Sequence, residues 1–560
     1  MQKIIAIISV TLSMLLFFPQ GYTGAEALSD RVSGHIRHRL EMGETSSPPV
    51  HEKSLHFEST RLPDFYGERG FRPAWSIDNH LSPLIEPFLS TLHRSGCEGL
   101  RPEDYRLHQI QAMISEIHGN LIREVPMDSA ALADLDILLT DAFFMYVSHL
   151  VSGRIDHRVV YPGWAIYTEA PDMTEILRQA LESGEIDAFL TKLTPSHFRY
   201  VKLKESLISY RGIAKRGGWP LIPPGAKMGR GSRDSRVSVL RQRLMVSGDL
   251  PLSAESESRI FDLPLENAVQ KFQKRHGLKA DGRVGRSTLM ALNIPVETRI
   301  RQIALNMDRL RWLPGDTGRR YIFVNVADFS LQVIEDEQVV MSMKIIVGKT
   351  EQKSCVLSRK MTYLELNPFW RIPDSIATKE ILPHVKKDPE YLAKNHIKVF
   401  WDWGDRSKEI DPGSVDWSRI KARHFKYKLR QEPGTLNPLG RIKFMFPNEC
   451  EIYLHDTPAR HLFGRTRRDF SHGCIRIEKP IDLAAYLLQN KDSWTQKKIL
   501  AEIRKGKRQM IMLPHPIDVH IFYGTAWVDQ NGSLQFRDDI YRIDEVPYEI
   551  GDCRNRLDRR

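Results

Sequence analysis

The stretch Ser471-His472-Gly473-Cys474-Ile475-Arg476, with His455-Asp456-Thr457 before it, decides which fold and which chemistry this chain is expected to have. It places a thiol, two imidazoles and a glycine in one short segment. A cysteine attacks as its thiolate, which a nearby base or positive charge favours. A glycine beside it lets backbone N–H groups approach a developing oxyanion. The segment therefore predicts covalent acyl chemistry at Cys474, and the alternative is a buried thiol among hydrogen-bonded histidines.

The spacing of the two parts makes the pattern more specific. His455 is followed by 15 residues and then by residues 471–476, and this string resembles the signature of the L,D-transpeptidases, the cysteine enzymes that cross-link bacterial peptidoglycan. Residues 437–444 and 452–458 are similar to the strands that this family places before its active site. The resemblance implies a mainly β catalytic domain, which we expect over residues 319–528.

The resemblance also implies a reaction in two steps. Cys474 attacks the amide carbonyl of the third stem-peptide residue, meso-diaminopimelate, D-alanine leaves, and a thioester forms. The side-chain amine of a second stem then attacks the thioester, which gives a 3→3 cross-link. Neither a cofactor nor a metal is expected, because the thioester holds the energy of the broken amide and no His/Cys/Asp cluster has the spacing of a zinc site.

Two histidines compete for the role of the base. The family assigns this role to His455, with a backbone carbonyl near Asp456 holding the other ring nitrogen. Proximity in sequence favours His472 instead, and sequence alone does not rank the two geometries. We expect His455 to be the base and His472 to help to orient the site.

The remaining candidate site residues lie close to the nucleophile. The backbone N–H groups of Gly473 and Cys474 are the expected oxyanion donors, and Ser471 is expected to fix the loop. Arg476 is a candidate for a structural contact or for a contact with a substrate carboxylate. Tyr453 is two residues from the base on the same strand, so that both side chains project to the same face. It either lines the site or is a core tyrosine.

Two other functions stay open at this point. The same chemistry could use another acceptor, namely a lipoprotein lysine, a free D-amino acid or water. A non-catalytic peptidoglycan-binding scaffold would need neither Cys474 nor His455, and the chain keeps both. By resemblance, carbapenems are expected to acylate Cys474, because a strained β-lactam carbonyl mimics the scissile amide. The expected partners are peptidoglycan stem peptides, and the need for a glycosyltransferase or carboxypeptidase partner stays open.

The length of 560 residues is too great for one core and predicts roughly three or four domains. We expect a multidomain α+β protein. Residues 28–63 are polar without a clear period, which predicts a flexible lead-in. Residues 64–224 are expected to form a helical scaffold domain, because apolar residues such as Leu81, Leu84, Ile85, Phe88, Leu89 and Leu92 recur at helical spacing. A stretch rich in glycine and proline, 217–231, is the expected linker after it.

Residues 233–295 resemble the small three-helix peptidoglycan-binding domain that accompanies many cell-wall enzymes. Leu265, Val269 and Phe272 have helical spacing, and Asp281-Gly282 is expected to make a tight turn. Most of this string builds a core, so the pattern predicts the kind of module and none of its ligand contacts.

From Tyr321 onward the apolar period changes to two, which predicts antiparallel strands over 321–327, 331–334 and 338–347. Residues 372–435 form an insertion that is longer than an ordinary loop and reads as partly helical. In the large Gram-negative members of the family such a segment caps the active site, and the alternative is a packing subdomain without a gating role. Residues 529–560 are expected to be a C-terminal extension.

Residues 1–27 have the pattern of a secretory signal, with an apolar run over 4–18 and an Ala25-Glu26-Ala27 cleavage site. The run is shorter than the ~20 residues of a membrane span, so we expect cleavage and a periplasmic protein, with retention as an anchor as the alternative. A net charge of +11 could attract nucleic acid, but export from the cytoplasm argues against this partner. Four arginines between the base and the nucleophile either attract stem carboxylates or form a solvated basic loop; they are Arg460, Arg465, Arg467 and Arg468.

Five cysteines in an oxidising compartment leave at least one unpaired, and the motif predicts that this is Cys474. The other four, Cys97, Cys355, Cys450 and Cys553, allow three pairings, among which the sequence does not choose. Their spacings suit neither a disulfide framework nor a metal site.

Overall fold

The structure is a computed structural model that describes residues 27–43, 61–77, 80–155, 161, 164, 171–252, 257–315, 317–404, 407–489 and 494–546. The predicted signal peptide, apart from Ala27, and Cys553 lie outside these ranges. No helix inside them is both long enough and apolar enough to cross a membrane.

Helices make up the N-terminal part of the chain, as the apolar spacing predicts. They are α1 (Leu28–Gly43), α2 (Leu62–Glu68), α3 (Ile85–Arg94), α4 (Leu107–Ile122), α5 (Ser129–Ser152), α6 (Met173–Ser183), α7 (Ile186–Leu193) and α8 (Phe198–Lys215), with the short strands β1 (Ser76–Ile77) and β2 (His80–Leu81) paired as a hairpin. The predicted flexible lead-in is wrong for residues 28–43. Val32 and Ile36 lie one turn apart on α1 and are buried, so tertiary packing stabilises a helix there.

The chain divides into two compact units, and the first consists of the described residues up to Ile85 together with 108–141. Its polar centre is the buried carboxylate of Asp136. This carboxylate accepts hydrogen bonds from the Tyr66 hydroxyl (2.6 Å) and from two backbone N–H groups, one of them that of Trp75 (2.8 Å). Because these donors replace water, the carboxylate can be buried without a large penalty.

The second unit contains residues 86–107 and the described residues from 142 onward. A three-helix module lies within it; its helices are α9 (Arg236–Val246), α10 (Leu263–Arg275) and α11 (Arg286–Leu292), and α12 (Val296–Leu310) follows. Leu265, Val269 and Phe272 are buried along α10, as their spacing predicts. The Gln273 side chain donates to the Asp281 carboxylate (3.0 Å) and thereby holds the predicted turn. The helical and three-helix parts of the predicted fold are confirmed.

The C-terminal part is built from strands. They are β3 (Arg320–Asn325), β4 (Ser330–Glu335), β5 (Gln338–Gly348), β6 (Leu357–Leu366), β7 (Trp370–Ile372), β8 (Ile397–Phe400), β9 (Glu409–Ile410), β10 (Lys428–Gln431), β11 (Ile442–Met445), β12 (Leu454–His455), β13 (Asp469–Ser471), β14 (Ile475–Ile477), β15 (Gln509–Phe522), β16 (Ala526–Val528) and β17 (Leu534–Phe536). A nine-stranded sheet has the order β13-β5-β14-β12-β11-β6-β15-β3-β4, and β4 pairs with β5 as well. The sheet therefore closes on itself around an apolar core that includes Ile322, Leu364 and Val519. The predicted mainly β domain and its antiparallel strands β3, β4 and β5 are confirmed.

The insertion between β6 and β11 is a separate packing unit. It contains the helices α13 (Asp374–Ile376), α14 (Leu382–Lys387) and α15 (Tyr391–Lys394), and the strands β7 to β10 form a four-stranded sheet. Its core, which includes Leu382, Val399 and Trp417, consists of residues of the insertion alone. Residues 372–435 are thus partly helical, as their sequence predicts.

The end of the described chain packs into the barrel. After β14 come α16 (Pro480–Leu487) and α17 (Gln496–Arg504), then β15, and β16 and β17 pair around a turn at Gly532. The described part of the predicted C-terminal extension, residues 529–546, packs against the barrel. Ile540, Tyr541 and Ile543 are buried in the barrel core, and the Tyr541 hydroxyl donates to the Gly348 carbonyl (2.8 Å).

Candidate active site

Two short parallel strands carry the candidate nucleophile and base. In β12 and β14, His455 lies opposite Arg476, and the Ile475 N–H donates to the Tyr453 carbonyl (3.1 Å). Because side chains alternate along a strand, Tyr453 and His455 project to one face, which Cys474 and Arg476 share. The Tyr453 ring centre is 5.7 Å from that of His455, and the Tyr453 side chain lowers the pKa of the Cys474 thiol. The strand pairing thus brings together four side chains that the sequence singles out.

His455 is buried and is held in one tautomer. Its Nδ1 lies 2.6 Å from the carbonyl oxygen of Asp456, which only accepts, so Nδ1 carries the proton and Nε2 is left as an acceptor. Burial and, to a smaller extent, the positive charge of Arg476 together lower the pKa of His455 to about 3. The imidazole is therefore neutral at physiological pH and able to take up a proton through Nε2.

The Cys474 thiol is neutral as well. Burial raises its pKa, and this is partly offset by the hydrogen bonds with Tyr453 and by the positive charges of Lys443 and Arg476. The resting site consequently holds a thiol and an imidazole without a preformed thiolate–imidazolium pair. Proton transfer is expected to accompany attack on the substrate.

Lys443 supplies a positive charge that the sequence analysis did not select. It lies on β11 opposite His455, and its Nζ is 3.9 Å from the centre of the Tyr453 ring. Burial lowers the pKa of Lys443, while the nearby carboxylate of Glu365 acts in the opposite direction. A single lysine on a strand is part of no recognisable sequence motif, so only the strand pairing shows that Lys443 lies in the site.

The backbone of the nucleophile loop, residues 471–476, is held by hydrogen bonds with two serine side chains. Gly473 has a φ of 116°, a left-handed conformation that favours glycine. The Ser471 Oγ accepts from the Gly473 N–H (3.2 Å) and donates to the Cys474 carbonyl (2.6 Å). The Oγ of Ser354, a residue that sequence reasoning missed, donates to the Gly473 carbonyl (2.6 Å). Ser354 lies 119 positions from Gly473, and no sequence pattern links the two.

His472 points away from these contacts. It is exposed, and its Nε2 lies 2.7 Å from the Oε1 of Glu380, a residue of the insertion. The structure therefore places His455, Tyr453 and Arg476 on the same face as Cys474 and directs His472 to the insertion. Glu380 is a further residue that the sequence analysis missed.

Arg476 is half-buried beside the nucleophile. Its Nε is buried, and among the described residues it has no hydrogen-bond partner. Its positive charge acts on both Cys474 and His455. A half-buried guanidinium next to the nucleophile is suited to a carboxylate ligand, since its planar fork matches a carboxylate.

The four arginines between base and nucleophile have different roles. Arg460 donates to the Asp456 carboxylate (3.4 Å) and to the Glu478 carbonyl. Arg468 donates to the carbonyls of Ile345 and Phe329 (3.0 Å each). These two arginines therefore stabilise the loop. Arg465 and Arg467 instead line an open cavity of about 590 Å³ with Leu462, Gly464, Thr466 and Phe470. Arg467 is paired with Asp469 (2.7 Å). Two of the four arginines in the predicted basic loop therefore stabilise it, and the other two line the cavity.

The cysteine pairing leaves Cys474 free, as the motif predicts. Among the described residues Cys474 is free, Cys355 and Cys450 form a disulfide, and Cys97 is disulfide-bonded as well. Within the same part of the chain no group of three or more His, Cys, Asp or Glu residues could hold a metal ion.

Comparisons with known proteins agree with the fold and the motif. Residues 319–501 match the family model described as "L,D-transpeptidase catalytic domain", residues 233–292 the "Putative peptidoglycan binding domain" and residues 60–207 the "Scaffold domain". Residues 319–501, which contain His455 and Cys474, thus match the family that the motif resembles, and this resemblance is confirmed.

Similar proteins were found among curated sequences and solved structures. A Haemophilus influenzae protein named "Putative L,D-transpeptidase" is 32% identical over 272 residues, which cover 48% of this chain and 54% of that protein. The chain thus spans about half the length of this relative. The crystal structure of an L,D-transpeptidase from Xylanimonas cellulosilytica matches with 16% identity and a TM-score of 0.18, covering 54% of this chain and 100% of its own.

Proposed function

We propose that this protein is a peptidoglycan L,D-transpeptidase that forms 3→3 cross-links between stem peptides through a Cys474 thioester, with release of D-alanine. The observation that carries the proposal is the pairing of β12 with β14. It sets a buried, neutral His455, with Nδ1 held by the Asp456 carbonyl, on the same face as the only described free thiol.

In the first step the Cys474 Sγ attacks the amide carbonyl carbon between diaminopimelate and D-alanine, and His455 Nε2 takes the thiol proton. The negative charge that develops on the carbonyl oxygen is stabilised by the Cys474 N–H. The Gly473 N–H, the other expected donor, donates to the Ser471 Oγ (3.2 Å) in the resting site. The C–N bond then breaks, the imidazolium returns the proton to the leaving amine, and the thioester and free D-alanine are formed.

In the second step the side-chain amine of an acceptor stem attacks the thioester carbonyl. His455 Nε2 takes a proton from the attacking amine, and the C–S bond breaks to give the new amide. The sulfur leaves as a thiolate and recovers the proton from the imidazolium, so the resting thiol is restored.

The surrounding side chains support both steps. Arg476 and Lys443 stabilise negative charge on sulfur through their positive charges. Arg476 binds a stem carboxylate with the guanidinium edge that has no partner among the described residues. Tyr453 favours the thiolate, since its side chain lowers the pKa of the thiol.

The other domains fit a protein that works on the cell wall. A peptidoglycan-binding domain would keep the catalytic domain at its polymeric substrate, which lies outside the cytoplasm. With the secretory pattern of residues 1–27, this supports a periplasmic location after cleavage of a signal peptide. Carbapenems would acylate Cys474 as mimics of the scissile amide.

The proposal is tested by measuring acylation with a carbapenem by intact-protein mass spectrometry. The wild type should gain one adduct, located on Cys474, and Cys474→Ala should gain none. His455→Ala should slow acylation roughly 10²- to 10⁴-fold, the usual contribution of a general base. His461→Ala is the control, since His461 is an exposed histidine of the same loop, and it should acylate like the wild type. An unchanged rate in His455→Ala would contradict the assignment of the base.

A further inference from the structure

The insertion of residues 372–435 is attached to the barrel by chain connections that lie side by side. β7, near its beginning, pairs with β10, near its end. The Asn437 side-chain amide bridges the two connections by donating to the carbonyls of Pro368 (3.0 Å) and Glu432 (3.2 Å). The insertion has its own core, and these contacts lie where the chain enters and leaves it, so a contact elsewhere would fix the position of its remainder.

Glu380 and His472 make such a contact. Glu380 Oε1 lies 2.7 Å from His472 Nε2, and the two side chains are 50% and 30% exposed. Within the part of the chain that the structure describes, this Glu380–His472 hydrogen bond joins the insertion to the nucleophile loop, residues 471–476. Since water reaches both groups, the pair can separate without leaving a buried charge.

The backbone around Glu380 is locally altered. Residues Ala377–Ile381 form a π-helical turn between α13 and α14, and Ala377 and Ile381 are buried in the core of the insertion. A π turn is rare and occurs frequently at functional sites. Here it keeps the two apolar side chains inward while Glu380 extends toward His472.

We propose that Glu380 is a positioning residue whose contact with His472 holds the insertion closed over Cys474 while the thioester exists. The inference rests on the proposed function. Separation of the pair opens the insertion to stem peptides, and closure excludes water from the thioester. The contact also reaches the nucleophile through the backbone, because His472 directly precedes Gly473.

Closure decides the fate of the acyl group. Attack by the acceptor amine breaks the C–S bond and gives a cross-linked amide and the thiol. Attack by water breaks the same bond and gives a tripeptide with a free carboxylate and the thiol. A closed insertion therefore favours the cross-linked product over the tripeptide.

The test compares Glu380→Ala and Glu380→Gln with the matched control Glu409→Ala. Glu409 also lies in the insertion and is 50% exposed, but its partner Lys398 (2.7 Å) belongs to the same insertion. Each variant is incubated with purified disaccharide-tetrapeptide, and the ratio of cross-linked dimer to tripeptide is measured by mass spectrometry. Carbapenem acylation of Cys474 is measured in parallel as an independent readout of the nucleophile.

Glu380→Ala should lower the ratio of dimer to tripeptide roughly two- to fivefold, the effect of losing a half-exposed hydrogen bond, and the control should leave it unchanged. Glu380→Gln keeps an oxygen that accepts from His472 Nε2 and should retain most of the ratio. An unchanged ratio in Glu380→Ala, or an equal loss in the control, overturns the proposal. A wild type that forms neither acyl-enzyme nor dimer would instead overturn the proposed function, and this inference with it.

Discussion

The ammonium group of Lys443 lies 3.9 Å from the centre of the Tyr453 ring, and both side chains lower the pKa of the Cys474 thiol. A positive charge at this place favours the thiolate over the thiol. Burial works against it, and the balance leaves the thiol pKa raised.

Lys443→Met should therefore make the thiol less reactive. The thiolate fraction at a fixed pH falls about tenfold for each unit by which the pKa rises, so alkylation of Cys474 by iodoacetamide at pH 7 should slow by roughly three- to tenfold. Lys360→Met is the control, because Lys360 is exposed and paired with Asp518 (3.2 Å) elsewhere on the barrel. Equal alkylation rates in the wild type and Lys443→Met would show that this charge does not act on the sulfur.

The neutral thiol and imidazole predict a particular pH dependence. Because burial raises the pKa of Cys474, the thiolate forms at a higher pH than that of an ordinary cysteine. The alkylation rate should therefore rise about tenfold per pH unit from pH 6 to pH 8. The lowered pKa of His455, about 3, means that no imidazolium forms near neutrality to stabilise a thiolate. A rate that is already constant below pH 7 would indicate a preformed ion pair and contradict this account.

Gly440 keeps space for the residue that holds the base. It has a φ of 62°, and a Cβ there would lie 2.5 Å from the Asp456 Cγ. Gly440→Ala should displace Asp456, whose carboxylate accepts from the Arg441 N–H (2.9 Å), and should slow carbapenem acylation. A loss of roughly 1–3 kcal/mol in the free energy of unfolding is expected from the backbone strain.

Gly532→Ala is the matched control for this change. Gly532 has a φ of 74° with no atom within 4 Å of its added Cβ, so it shares the backbone strain and lacks the clash. It should lose stability without losing acylation rate. Equal acylation by both variants would mean that the position of Asp456 does not affect the base.

The Cys355–Cys450 disulfide should stabilise the region around the nucleophile. It joins residues 95 apart in the sequence, next to Ser354 on one side and close to β12 on the other. Replacing both cysteines by serine should lower the free energy of unfolding by about 2–4 kcal/mol, as expected for a cross-link that closes a long loop. Denaturant unfolding measures this, and an unchanged midpoint would contradict a stabilising role.

The sequence predicts the parts of this protein that depend on local patterns. The string from His455 to Arg476 predicts a nucleophile and a base, which the structure places on one face, and the change of apolar period near Tyr321 predicts the start of the β domain. Tyr453 is found for the same reason, since alternation along one strand places it beside the base.

Residues that join the site through tertiary contacts could not be predicted. Ser354, Lys443 and Glu380 reach the loop from β strands and from the insertion, and a single serine, lysine or glutamate carries no periodic signal. The α1 helix was missed because its buried apolar residues are few, so that packing rather than composition stabilises it. His472 was expected to orient the site, and only its distance to Glu380 shows its partner.

The most direct test of the central claim is mass spectrometry of the mature protein and of Cys474→Ala after incubation with purified disaccharide-tetrapeptide. The account predicts a cross-linked dimer that has lost one D-alanine, formed by the wild type and absent with the variant. A dimer formed equally by Cys474→Ala, or a folded wild type that forms neither the dimer nor an acyl-enzyme, would contradict it.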